Sequence, residues 1–298
     1  MLIKERNKAI GKTLYRSKPL LLTPAQTYVR PSQGRAWFAT TTSVWRVDEL
    51  IRRTVRDWKR MMDETGHTGT RAQSFRRDHD SVYTATHSVF PAPLMEWIIL
   101  RYGGPMGSNI LDCFAGGPVR GVVCSIMGHK YHGVDVRKDQ IDENEAVLRK
   151  LKLEGATYYH TDGCLLEGVT GPFDAAITCP PYHDLEKYSS QEDDISNLGS
   201  YWEFNAMMAF NALAQFEVLK PEAFCCIVVG LFRNKKTGEL IDFRSHTVEN
   251  FREAGFIFWQ EIVLSKNFGS AAQRSTNAWR GMKLVPAHEY LLVFRKPK

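Results

Sequence analysis

The stretch Ile110–Arg137, ILDCFAGGPVRGVVCSIMGHKYHGVDVR, decides the fold. An apolar run, Ile110–Phe114, leads into Gly116-Gly117-Pro118. A helical stretch, Val119–Met127, follows at once, and a second apolar run, Tyr131–Val136, closes the unit. Strand, glycine turn, helix and strand in 28 residues make a βαβ unit with parallel strands. The alternation continues downstream. Thr157–His160, Ala175–Thr178, Phe224–Leu231, Ile257–Leu264 and Tyr290–Phe294 read as strands; Ala92–Tyr102, Asp139–Leu153, Tyr201–Leu219 and Ser245–Ala254 read as helices. This predicts an α/β fold: a doubly wound, mostly parallel sheet of seven strands. The last two strands have no helix between them, which predicts a C-terminal antiparallel hairpin.

The composition fits a soluble globular chain: 298 residues, 43% hydrophobic and 24% charged. It excludes collagen, coiled coil and wholesale disorder. The longest apolar run, near Phe224–Phe232, is far short of the ~18–20 residues of a membrane-spanning helix. Met1–Lys12 alternates charged and apolar residues and has no secretory core. The six cysteines, Cys113, Cys124, Cys164, Cys179, Cys225 and Cys226, form no C-x-x-C pair. Neither they nor His79 and His87 show metal-ligand spacing, so no metal is expected and buried thiols in a reducing cytoplasm are.

Charge divides the chain. Residues 1–90 hold 17 Lys+Arg against 8 Asp+Glu, and the other 208 hold 22 against 25. Twelve of those 17 are arginines, which bind phosphate bidentately and stack on bases. A basic N-terminal extension over 1–88, ahead of a domain over 89–298, suggests a polyanionic partner; a solvated surface is the plainer alternative. Within it, residues 47–63 carry a helical stripe (Leu50, Ile51, Val55, Trp58, Met61, Met62), and residues 64–88 read as linker or partner-ordered loop.

In open α/β sheets, ligands sit at the carboxyl ends of the strands. Past the first strand, Gly116 and Gly117 let backbone approach a ligand closely. The loop is neither G-x-G-x-x-G nor G-K-[ST], which disfavours a phosphate-binding loop. Asp135 ends the second strand, placed to accept from ribose hydroxyls, and Asp162 follows the third. A lone Asp in such a place is often only a helix cap. Thr178-Cys179-Pro180-Pro181-Tyr182-His183-Asp184 follows the fourth.

The ordered set resembles the S-adenosylmethionine-dependent methyltransferases that methylate exocyclic amino groups of DNA bases, with wording closest to phage and prophage methylases. The resemblance covers roughly Ser88 to the C-terminus and implies a Rossmann-like methyltransferase fold. It implies S-adenosylmethionine as cofactor, with Asp112, Phe114, Gly116 and Gly117 in the cofactor loop. Asp135 then holds the ribose, Asp162 lies near the adenine, and Phe90, before Pro91, packs beside the methionine moiety. Cys179, Pro180, Pro181 and Tyr182 stand at the catalytic tetrad [DNS]-P-P-[YF]. His288–Lys296 is similar to the last strand of many members. The implied partner is double-stranded DNA with one base flipped out, in the cytoplasm of a bacterial or phage-infected cell.

An exocyclic amine is a poor nucleophile, because its lone pair is delocalised into the ring. Two acceptors facing its hydrogens, the residue-179 side chain and the Pro180 carbonyl, localise that pair. The two prolines fix carbonyl direction. Tyr182 offers a stacking face to a base that has left the duplex. Sulfur is a weak acceptor, so Thr178 and Asp184 are candidates to share the role. Cys is near-isosteric with Ser, which favours the cytosine-N4 pattern over adenine-N6. Covalent C5 chemistry through a Cys179 thiolate and an inert buried thiol are the alternatives.

Two departures from the family stand out: Cys at 179, and no target-recognition domain after the last strand. His183, Asp184, Glu186 and Tyr188 either line the base pocket or cap the loop. Lys266 and Arg274 lie in a polar, basic stretch between the final strands, read as a DNA-contacting loop against a plain solvated one. The competing functions are an RNA or protein-glutamine methyltransferase, and an inactive methylase-derived nucleic-acid-binding module.

Overall fold

A computed structural model describes residues 44–46, 90–183, 195–234, 237–265, 278–279, 281–286 and 288–298. Most of the basic extension, the helix expected at 47–63, and Asp184, Lys266 and Arg274 lie outside the described residues. The elements are β1 (Val44–Arg46), α1 (Ala92–Tyr102), β2 (Asn109–Asp112), α2 (Val119–Ile126), β3 (Lys130–Asp135), α3 (Lys138–Leu151), β4 (Ala156–His160), β5 (Phe173–Thr178), α4 (Tyr201–Val218), β6 (Leu219–Gly230), β7 (Phe232–Arg233), β8 (Leu240–Ile241), α5 (Phe243–Glu253), β9 (Ile257–Ser265) and β10 (His288–Arg295).

The main sheet runs β1-β9-β10-β6-β5-β2-β3-β4. β10 is antiparallel to both β6 and β9, and every other pairing in this sheet is parallel. The seven strands expected from the sequence are all present, with the C-terminal antiparallel strand where it was expected. This is a Rossmann-like, doubly wound sheet. An eighth strand, β1, comes from the extension and pairs with the outer edge of β9 (Val44 opposite Val263). The chain leaves β2 outward through β3 and β4, then returns to β5 on the other side of β2. That reversal opens a crevice at the carboxyl ends of β2 and β5.

Both sheet faces are covered, so the central strands read as nearly unbroken apolar runs. Alternate side chains go to opposite cores. Leu111, Ala176, Cys225, Ile227, Leu292 and Phe294 join Phe204 and Met208 of α4 and Phe251 of α5. Ile110, Ala175, Ile177, Cys226, Leu291 and Val293 meet α1, α2 and α3 on the other face. α4 starts with a full capping box, Ser200 and Glu203 each accepting from the other's backbone N–H.

The structure shifts the end of β2 and the start of β6 and adds a short ribbon. β2 stops at Asp112 rather than Phe114, because the Asp112 carboxylate accepts from the Phe114 N–H and turns the chain. β6 begins at Leu219, directly after α4, rather than at Phe224: Leu219 pairs with Phe173, but Phe224 pairs with Ala175, so the residues between bulge. Glu222 takes φ 65° there. The β7–β8 ribbon, two residues on each side, is too short to show a period in sequence.

The β4–β5 connection holds no helix, only turns. Gly163 lets it lie against the loop after β2, since a Cβ there would sit 1.9 Å from the Cys113 carbonyl oxygen. Gly163→Ala should therefore destabilise the fold by about 1–3 kcal/mol through forced backbone movement. Gly117→Ala, whose Cβ would meet nothing within 4 Å, should leave stability nearly unchanged. Urea denaturation of both variants checks this, and equal midpoints would refute it.

Candidate active site

Asp112, at the end of β2, is fully buried and accepts four hydrogen bonds from the chain itself. Its Oδ1 accepts from the Phe114 N–H (3.2 Å) and the Thr178 hydroxyl (2.8 Å). Its Oδ2 accepts from Arg120 Nε (2.5 Å) and the Tyr131 hydroxyl (2.7 Å). A carboxylate has about four lone-pair sites, and these are taken. Asp112, expected from the resemblance to be a cofactor residue, therefore supports the glycine loop from beneath.

Arg120, in the first turn of α2, is equally buried. Its Nη2 donates to the carbonyls of Phe114 and of Ala115 (3.1 Å), and its guanidinium lies 4.9 Å from the centre of the Phe90 ring. Burial acts to lower the Arg120 pKa, but the Asp112 carboxylate, with Tyr131 and Cys179, raises it overall. Burial, reinforced by Asp112, pushes the Tyr131 hydroxyl up. The sequence reading missed Arg120; its signal is a lone cation in the apolar helix VRGVVCSI.

The loop above is tied on every side. Ala115 N–H donates to the Val134 carbonyl (2.8 Å), and Gly116 N–H donates to Asp135 Oδ2 (2.8 Å). The Gly116 carbonyl accepts from Asn144 of α3 (2.7 Å), another residue the sequence reading missed. Gly116 adopts φ 48°, a conformation costly for residues with a Cβ. Asp135 Oδ1 accepts from the Arg137 N–H (2.9 Å). Burial raises the Asp135 pKa, and the Arg137 and Gly116 N–H groups pull it back. Two donors on a carboxylate leave further acceptor sites for a ligand.

Asp162 caps its own turn, with Oδ1 accepting from the Cys164 N–H (2.7 Å). A buried relay steadies the turn from α4: Asn211 donates to the Gly163 carbonyl (2.7 Å), Gln215 donates to Asn211 (2.6 Å), and the Cys225 thiol donates to Gln215 (3.0 Å). Asp112, Phe114, Gly116, Gly117 and Asp135 thus come together in one loop system. Phe90 joins it through Arg120, and Asp162 through the Gly163–Cys113 approach.

β5 delivers the second loop. Thr178 is fully buried, and its hydroxyl donates to Asp112. Cys179, Pro181 and Tyr182 are half-buried and Pro180 is buried. The Tyr182 ring lies parallel to Phe232 (6.4 Å, 14°) and edge-on to Phe243 (6.2 Å). A Cβ at Gly230 would sit 3.3 Å from it, and its hydroxyl is 3.5 Å from a Glu289 carboxylate oxygen. Glu289, at the start of β10, escaped the sequence reading. His183 is buried at φ 43°, with Nε2 3.2 Å from the Leu198 carbonyl and its ring against Tyr201 and Phe204.

All six cysteines are free, and Cys179 alone is not buried. Burial pushes the thiols of Cys113, Cys124, Cys164, Cys225 and Cys226 up. Among the described residues, no group of three or more His, Cys, Asp or Glu could hold a metal, and no helix is long and apolar enough to cross a membrane.

Residues 173–298 match a family model described as DNA methylase. No curated protein matches the chain. Among solved structures, TrmN from Thermus thermophilus is 11% identical with a TM-score of 0.48, covering 70% of this chain and 49% of its own. The chain thus spans about half the length of that protein. A SAM-dependent methyltransferase from Methanosarcina mazei is 15% identical (TM-score 0.46; 67% and 97% covered), as is the [4+2]-cyclase SpnF (0.49; 82% and 96%).

Arg120→Met should strand the Asp112 charge and cost roughly 3–5 kcal/mol. Arg120→Met with Asp112→Asn should recover part of that loss, because no uncompensated charge remains. Chemical denaturation of the singles and the double checks the cycle. A double variant no more stable than Arg120→Met would show that the ion pair is not the support described.

Proposed function

We propose, on the premise that residues 173–298 form a methylase domain of the amino-methylating kind, that this chain moves a methyl group from S-adenosylmethionine to an exocyclic amine of a DNA base, cytosine N4 ahead of adenine N6. One observation carries the reading: the Thr178–Asp112 hydrogen bond (2.8 Å) joins the glycine loop and the Cys-Pro-Pro-Tyr loop at the switch point of the sheet. A cofactor-type loop and a base-type loop on one buried carboxylate suit a direct transfer, which gains chiefly from alignment.

The residues fit the cofactor. Space lies open where a Cβ would stand on Gly117, and the Asp135 carboxylate retains acceptor sites for ribose hydroxyls. In this reading Phe90 and Phe114 flank the methionine end, and Asp162 lies near the adenine. The bound cofactor supplies a methyl group already activated on a sulfonium. Cys179 and the Pro180 carbonyl accept from the two amine hydrogens, so the lone pair points away from the ring. Pro181 fixes the turn, and Tyr182, braced by Phe232 and Glu289, stacks on a base extruded from the duplex. The basic extension, with Lys266 and Arg274, grips phosphates.

Nucleoside mass spectrometry of DNA incubated with enzyme and cofactor should give N4-methylcytosine. Label from tritiated cofactor appearing only in a tRNA or protein pool would move the activity to those substrates. Asp135→Ala should weaken S-adenosylmethionine binding roughly tenfold or more in a folded protein, the scale of a lost charged hydrogen bond; calorimetry reads this directly.

Tyr182→Ala should lose most turnover, whereas Cys179→Ser should keep a substantial part, since a hydroxyl also accepts. A C5-methylated pyrimidine as product, together with a dead Cys179→Ser enzyme, would instead identify Cys179 as a covalent nucleophile.

A further inference from the structure

The carboxyl edge carries a second feature that the transfer chemistry does not use. β9 ends at Ser265 opposite His288 of β10, so the connection between them leaves the sheet on the side of Gly116 and Cys179. Its described part, Ala278 onward, is a closed turn. The N–H groups of Gly281 and Lys283 both donate to the Ala278 carbonyl (3.1 and 2.9 Å), and Met282 donates to the Trp279 carbonyl (3.0 Å). The turn puts apolar side chains into water: Trp279 is 78% exposed, Met282 96% and Leu284 80%. Met282 holds φ 54°, unusual for a bulky residue and a mark of functional segments.

The location is constrained at both ends. A Cβ on Gly238, in the β7–β8 turn, would lie 2.5 Å from Lys283 Nζ. At the other end the connection runs into Glu289, whose carboxylate is beside the Tyr182 hydroxyl. Leu284 lies five positions before Glu289, so its Cα stands within about 18 Å of that of Glu289. The connection also has a clear charge. Residues 266–287 contain Lys266, Arg274, Arg280 and Lys283 and no Asp or Glu.

We infer that the Ala278–Lys283 turn is a nucleic-acid contact in which Trp279 stacks on an exposed base and Met282 wedges beside it. An indole plane set in a purely cationic segment matches a base carried on a phosphate chain, because one partner satisfies both the apolar face and the charge. The inference rests on the DNA reading above and extends it, giving the chain a second grip at the sheet edge that carries the tetrad.

The test is fluorescence anisotropy of the full chain with a fluorescein-labelled DNA duplex, matched and with one mismatched pair. Trp279→Ala should weaken binding roughly tenfold without changing the salt slope, the mark of lost stacking rather than lost charge. Trp279→Phe should restore most of it. Lys283→Ala should lower the log–log salt slope by about 0.9. The thermal midpoint of Trp279→Ala should stay at the wild-type value, since the side chain is exposed. Wild-type affinity of Trp279→Ala for both duplexes would overturn the inference. A loss of self-association in sedimentation, with DNA affinity untouched, would also overturn it and assign the turn to a second copy of the chain. If the wild type methylates DNA in parallel, such results remove this inference alone. A wild type that neither binds nor methylates DNA removes the DNA reading as well.

Discussion

One buried ion pair holds the site together. Asp112 and Arg120 sit beneath the crevice with almost no access to water, and each is fully engaged. A charge left alone there would be severely destabilising, so each residue requires the other. Through its four donors Asp112 joins β2, β3, β5 and α2, and through its carbonyl contacts Arg120 sets the backbone of the glycine loop. The loop is thus shaped before any ligand arrives, which removes an ordering cost from binding.

The sheet topology supplies the rest of the positioning. Because β5 lies next to β2 although two strands intervene in sequence, the loops after them become neighbours. The antiparallel β10 then brings Glu289 and the β9–β10 connection to the same edge. Tyr182 is held by residues far from it in sequence: Gly230, Phe232, Phe243 and Glu289. In the proposed transfer, a stacking ring fixed in this way loses little freedom when a base docks.

Cys179 is the chemical oddity of the site. The other five thiols are sealed in the two cores, where burial keeps them protonated and inert. Cys179 instead stands half-buried at the mouth of the crevice, between a buried Thr178 and a buried Pro180. Its neighbour Thr178 is fully buried and donates its hydroxyl to Asp112. In the proposed transfer the Pro180 carbonyl, fixed by two prolines, then carries more of the alignment than a sulfur acceptor does.

The sequence by itself determined the alternation of strands and helices, the antiparallel last strand and the order of the motifs. These depend on local period and on chain order, both written in the residues. The places of Gly116, Asp135 and Asp162 at strand ends were legible for the same reason. Only the tertiary structure decided what those side chains do. Asp112 reads as a cofactor residue in its motif, yet its four donors come from residues 2, 8, 19 and 66 positions away, and they turn it inward. His183 read as either a pocket or a loop-capping residue, and only the fold sets it against Leu198, Tyr201 and Phe204. Arg120, Asn144, Asn211 and Glu289 carry no motif, because their roles exist only once the fold places the first three against loop carbonyls and Glu289 beside the Tyr182 hydroxyl. A hydrogen bond needs a partner in space, and chain order alone does not supply one.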